Sequence, residues 1–180
     1  MGERKTTTMT NYFDFFNLPV SPRIDQKALK RQFYANSKRF HPDFHTLAEE
    51  DAREEALEQS TINNQGYKIL ADDDRRLKHL LDLKGVLGEE GSNKMPQAFL
   101  MEMMDINEAL MELQFEDDPT ARAKVDEMIA SLEADFDSEV AEVLNHYDDA
   151  TVSTTELEKL KDYYLKKRYL RRLKQQSPEV

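Results

Sequence analysis

Two histidines and an aspartate occupy alternate positions in "HPDFH", His41 to His45, with a proline between the first pair. Side chains of these types could do two kinds of chemistry. His41, Asp43 and His45 are all possible metal ligands, and a His–Asp pair can serve as an oriented general base. Neither possibility gathers support. Proline hinders a helical arrangement of the three, and the short loop adds no glutamate or cysteine to complete a donor set. The remaining histidines, His79 and His146, fall in other segments. No nucleophile, glycine-rich phosphate loop or second carboxylate site accompanies the pair. The sequence therefore points to no catalytic residue, no metal and no cofactor.

Composition narrows the classes further. At 180 residues the chain suits one domain or two small ones, and 39% hydrophobic against 34% charged residues leaves it a thin core. Five glycines, no tryptophan and strings such as "EEDAREEALEQS" predict an all-α protein. A net charge of -11, from 25 basic and 36 acidic residues, argues against nucleic acid as a partner. The absence of cysteine removes disulfides, thiolate nucleophiles and cysteine-bound zinc or iron–sulfur clusters. No apolar run approaches the roughly 18 residues needed to span a membrane. The stretch "MGERKTTTMTNYF" lacks an apolar signal core, so a frayed tail and a cytoplasmic protein are expected.

The prolines punctuate the helical periodicity, and "GVLGEEGSNKMP" gathers three of the five glycines. That stretch predicts a linker at 85–95 between a first domain at 10–84 and a second at 96–176. The first should hold a short aromatic helix in "NYFDFFNL" and further helices near 25–40, 48–70 and 75–84. The second should hold helices near 96–116, 119–147 and 154–175, forming an antiparallel bundle. Ser153 and Glu156 have capping-box spacing before the last of these.

The helix ahead of the proline loop carries Leu29, Phe33 and Phe40 on one face. Arg23, Lys27, Lys30, Arg31, Tyr34 and Lys38 cluster opposite. Between Arg23 and Phe40 there are six bases and one acid, a concentration suited to docking on an acidic protein surface. The next helix offers a narrow seam of Ala56, Ser60, Asn63, Tyr67 and Leu70 for close packing. The two would form a hairpin with His41-Pro42-Asp43 at its tip, where proline biases His41 out of the α region and stiffens the loop.

In "PQAFLMEMMDINEALMELQFEDD", Phe99, Met103, Ile106, Leu110 and Leu113 form a core stripe. Leu100, Met101 and Met104 lie to its side and back, and Asp105, Glu108 and Glu112 continue that second face. Burial against another helix and exposure as an acid-edged apolar patch both fit the pattern. Exposed, such a patch suits a partner bearing an apolar spot with basic residues. The last helix is complementary in charge, with eight bases and one acid from Lys159 to Lys174.

An aromatic helix, a basic helix, a His-Pro-Asp tip and a seam-bearing third helix together resemble the J-domain of DnaJ-type co-chaperones. With "YFDFFNLP", "RRLKHLLDLKG" and "AFLMEMMDINEALMEL", the chain from about Asn11 to Leu173 resembles the HscB family of iron–sulfur cluster co-chaperones. The resemblance implies a J-domain and a C-terminal three-helix bundle in an L-shaped arrangement. It also implies that His41, Pro42, Asp43, Lys27, Lys30, Arg31 and Lys38 meet a DnaK-class chaperone of the HscA kind and stimulate its ATPase. The scaffold protein IscU would meet Leu100, Met101, Met104, Asp105, Glu108 and Glu112. Met104 and Asp105 depart from the family's usual leucine and glutamate. An aromatic in the last helix contributes in the family, and Tyr169 is the choice here, with Tyr163 and Tyr164 leaving the register open. Without cysteine, the chain resembles the plain bacterial form rather than members with a zinc module. The alternatives are a general J-protein for unfolded clients, or a metal-dependent enzyme using His41, Asp43 and His45.

Overall fold

The computed structural model describes residues 9–41, 43, 50–88, 93–113 and 118–176. Among these the regular elements are the α-helices α1 (Tyr12–Phe15), α2 (Gln26–Arg39), α3 (Glu50–Leu70), α4 (Asp73–Leu83), α5 (Gln97–Glu112), α6 (Pro119–His146) and α7 (Thr154–Gln176). The chain divides into two compact units. One comprises Met1–Lys84 with Asp148–Ala150, and the other Gly85–Tyr147 with Thr151–Val180.

In the first unit, four residues are too few for a stable helix by themselves, so α1 depends on its cap and its packing. The Asn11 side chain accepts from the Phe13 and Asp14 amides, while Phe13 and Phe16 are wholly buried. Gly66 makes room for them on α3. A Cβ at that position would stand 2.6 Å from Tyr12 Cδ1 and 2.8 Å from Phe16 Cε2, so only glycine lets α1 sit so close. Helix α2 begins at Asp25, whose carboxylate accepts from the Ala28 and Lys27 amides and is held below its usual range by those bonds. Its inner face carries buried Leu29, and Phe33 stacks against Tyr67 of α3 at 4.3 Å.

Asn63, buried in the α3 seam, crosses to α2. Its Nδ2 donates to the Phe33 carbonyl at 3.2 Å and to Ser37 Oγ at 3.0 Å. Helix α4 starts at Asp73, two residues before the expected Arg75, because Asp72 supplies the cap by accepting from the Arg75 amide. Arg76 is buried yet satisfied. It donates to the Pro22 carbonyl at 2.8 Å, to the Leu70 carbonyl at 2.6 Å and to Asp73, pinning the segment before α2 to the end of α3. Buried His79 accepts the Tyr12 backbone N–H on Nε2 at 3.2 Å and stacks on Phe13. Gly85, at φ +67°, closes α4 in the left-handed conformation that favours glycine.

In the second unit Phe99, Met103, Ile106, Val125, Ile129, Phe136, Leu170 and Leu173 form the core, with Leu110 and Leu113 packed at its edge. Ion pairs run Glu133–Lys174, Asp137–Lys167 and Glu139–Lys166, so α7 descends as α6 rises and the two are antiparallel. Helix α5 ends at Glu112 with Leu113 as its C-cap, short of the expected 116; residues 114–117 lie outside the described residues. Pro119 opens α6 behind Asp118, which accepts from the Thr120 amide. The capping box is formed: the Ser153 amide donates to Glu156 Oε2 at 2.8 Å, and the Glu156 amide returns to Ser153 Oγ at 3.2 Å.

Tyr163 links α7 back to α6. Its hydroxyl donates to Asp137 at 2.7 Å, and Lys167 reaches both that carboxylate and the Tyr163 oxygen. Burial and the bond to Asp137 push the phenol up to about 12.

Candidate functional site

Two surfaces collect the residues singled out above. At the end of α2, Phe40 caps the helix, and the chain turns through His41 and Asp43, both exposed. The Asp43 amide donates to His41 Nδ1 at 3.2 Å, and the Asp43 carboxylate stands 3.6 Å from the same nitrogen. With Nδ1 accepting, a neutral His41 ring carries its proton on Nε2. Pro42 and His45 lie outside the described residues. Among those described, no three His, Asp or Glu side chains gather as a metal site would need.

Lys27, Lys30, Arg31 and Lys38 are all exposed on the outer face of α2, where Tyr34 joins them. That face is opposite buried Leu29. The structure thus brings the basic residues into one stripe that runs down α2 towards His41.

The second surface is on α5. Phe99, Met103 and Ile106 face inward and are buried, while Leu100 is 42% exposed, Met101 64% and Met104 67%. Asp105, Glu108 and Glu112 are exposed beside them. Of the two arrangements the sequence left open, the three apolar residues take the exposed one. The structure also separates the last-helix tyrosines. Tyr163 is bonded to Asp137 of α6 and Tyr164 is buried, whereas the hydroxyl of half-buried Tyr169 accepts from Asn107 Nδ2 of α5 at 3.1 Å. The ring of Tyr169 meets Phe99 edge-on at 5.4 Å. Sequence reasoning missed Asn107, which holds Tyr169 at the border of the patch, and also missed exposed Met111. Met111 had a legible signal, since it stands seven residues after Met104 and so two helical turns along the same face.

None of these groups forms an acid–base or nucleophilic constellation. One surface is a cationic stripe running towards His41, the other an apolar row edged by carboxylates.

Comparison with known proteins gives the family. Residues 95–176 match the family model described as the HSCB C-terminal oligomerisation domain. A co-chaperone protein HscB homolog of Vibrio cholerae is 36% identical over 138 residues, covering 76% of this chain and 75% of that protein. One from Pseudoalteromonas atlantica is 35% identical over 142 residues, covering 78% and 81%. The solved structure of chaperone HscB from Vibrio cholerae superposes with a TM-score of 0.61 at 30% identity, over 93% of this chain and 99% of that one. The human co-chaperone HscB crystal structure shares the fold, with a TM-score of 0.72 at 24% identity over 96% and 81%. With relatives matched at this identity over most of their length, and with helices throughout, the chain belongs to the HscB co-chaperone family.

Proposed function

We infer that this co-chaperone binds an iron–sulfur cluster scaffold protein of the IscU kind through α5. It would deliver the scaffold to a DnaK-class chaperone of the HscA kind, in the cytoplasm, and stimulate that chaperone's ATPase through its J-domain. The chain itself does no chemistry. Its contributions are a docking face for the client and a trigger for the partner's hydrolysis, made by His41, Pro42 and Asp43 with Lys27, Lys30, Arg31 and Lys38. The observation that carries this proposal is the outward placement of Leu100, Met101 and Met104 on a helix whose other side supplies the bundle core. Apolar side chains left in water beside Asp105, Glu108 and Glu112 fit a partner with an apolar spot among basic groups.

The test is a calorimetric titration of purified IscU-type scaffold into the wild type and the triple variant Leu100→Ala, Met101→Ala, Met104→Ala, with thermal melts of both. Scaffold binding should weaken at least about tenfold, because central apolar contacts dominate such interfaces, and melting should hardly move. A variant that melts early yet binds normally would show that these side chains serve the fold.

A further inference from the structure

The apolar face of α5 does not stop at Met104. Met111 is 61% exposed, close to Met101 and Met104 and more open than Leu100. At 100° per residue, Leu100, Met104 and Met111 fall within about 40° of one another, on one line along the helix. Their separation, at 1.5 Å per residue, is about 16 Å. Asn107 stands on the same line between Met104 and Met111, and its amide donates to the Tyr169 hydroxyl. The row is thus continuous from Leu100 to Met111 and bounded on the α7 side by Tyr169. Glu108 and Glu112 edge its far half on the other side.

We propose that Met111 is a further contact residue for the scaffold protein, extending the docking face into a row about 16 Å long that takes an elongated apolar ridge flanked by basic side chains. This inference rests on the function proposed above. Two observations choose that occupant over a second copy of the chain. From Leu100 to Glu112 there are four acids, Glu102, Asp105, Glu108 and Glu112, and no base. Two copies meeting face to face would set carboxylates against carboxylates, whereas a basic-edged partner neutralises them. Three of the four apolar residues are methionines, Met101, Met104 and Met111, whose flexible thioethers adapt to a partner surface that is not their own mirror image. The length matters for specificity. A partner offering an apolar spot only at Leu100 and Met104 would leave Met111 in water, so the far end of the row selects clients with an extended ridge.

The experiment is a scaffold titration of the full chain carrying Met111→Ala, Met111→Leu or Met111→Lys, beside Leu100→Ala with Met104→Ala. Thermal melts and sedimentation accompany each. Met111→Ala should raise the scaffold dissociation constant about fivefold, Met111→Leu should bind like the wild type, and Met111→Lys should lose most binding by repelling the basic partner. All three should melt with the wild type. Wild-type affinity in the alanine and lysine variants, while Leu100→Ala with Met104→Ala loses binding, would overturn the extended row and leave the proposed function standing. Unchanged binding in every variant would overturn both. A lower melting temperature for Met111→Ala would refute the row by showing the side chain is packed. A wild-type dimer that Met111→Lys dissociates, with scaffold binding intact, would assign the row to a second copy instead.

Discussion

His41 and Asp43 are bonded to each other across one residue, and both side chains are exposed, so replacing either uncovers no core. His41→Gln and Asp43→Asn should therefore abolish stimulation of the chaperone's ATPase while leaving helicity and melting within the range of ordinary surface changes, about 0.5 kcal/mol. Steady-state ATP hydrolysis by the chaperone, with and without each variant, checks this, and full stimulation by either would count against the loop as trigger. His79 is the opposite sort of histidine. Burial holds its pKa below the ordinary value of 6.5, with Lys78 adding to that effect and Asp82 opposing it. Its Nε2 must stay unprotonated to accept from the Tyr12 N–H. A depressed folded pKa gives stability that is whole above pH 6.5 and falls away as the pH drops from there towards the folded value. Denaturant melts between pH 8 and about pH 5 should show that decline. His79→Leu should flatten it and cost about 1–3 kcal/mol above pH 6.5 by orphaning the Tyr12 amide, a deficit that narrows at lower pH as the wild type itself declines; an unchanged slope would show that His79 does not govern it.

Among the elements, α1 is held by the notch at Gly66 as much as by its own sequence. Alanine in mid-helix normally stabilises by about 1 kcal/mol over glycine, but here the methyl would press on Tyr12 and Phe16. Gly66→Ala should destabilise the first unit by about 1–2 kcal/mol net, readable in chemical melts, and a stabilised variant would show that α1 yields without strain. Nothing in a linear pattern announces this glycine, since its need arises from a helix more than fifty residues away. The same reason hides Arg76 and His79: their partners, the Pro22 carbonyl and the Tyr12 amide, meet them only in the fold. Local signals travelled better. The capping box of Ser153 and Glu156 marked a helix start because its two residues are neighbours in sequence. The core stripe of α5 was legible from periodicity, and its exposed side was not. Burial of Leu100, Met101 and Met104 depends on whether another helix covers them, a question that the α5 sequence alone does not address.

At the scale of the molecule, each unit carries its own core and one of the two exposed faces described above, and charge is divided unevenly between them. Within a chain of net charge -11, the α2 stripe is a local positive field and α5 a negative one, so the two faces suit partners of opposite character. One further property follows from the Tyr163–Asp137–Lys167 link. The chain has seven tyrosines and no tryptophan, so phenol rings dominate its near-ultraviolet absorbance. Burial and Asp137 raise the Tyr163 pKa from 10.0 to about 12, which favours the protonated phenol in the folded bundle. The stability this gives is complete below pH 10 and is lost as the pH climbs to about 12. The bundle should therefore keep one phenol colourless until it opens, making the last phenolate absorbance step a direct optical report of alkaline unfolding. In Tyr163→Phe that late step should vanish from the spectrum and unfolding should depend less steeply on alkaline pH; a late step that survives the substitution would assign it to another ring.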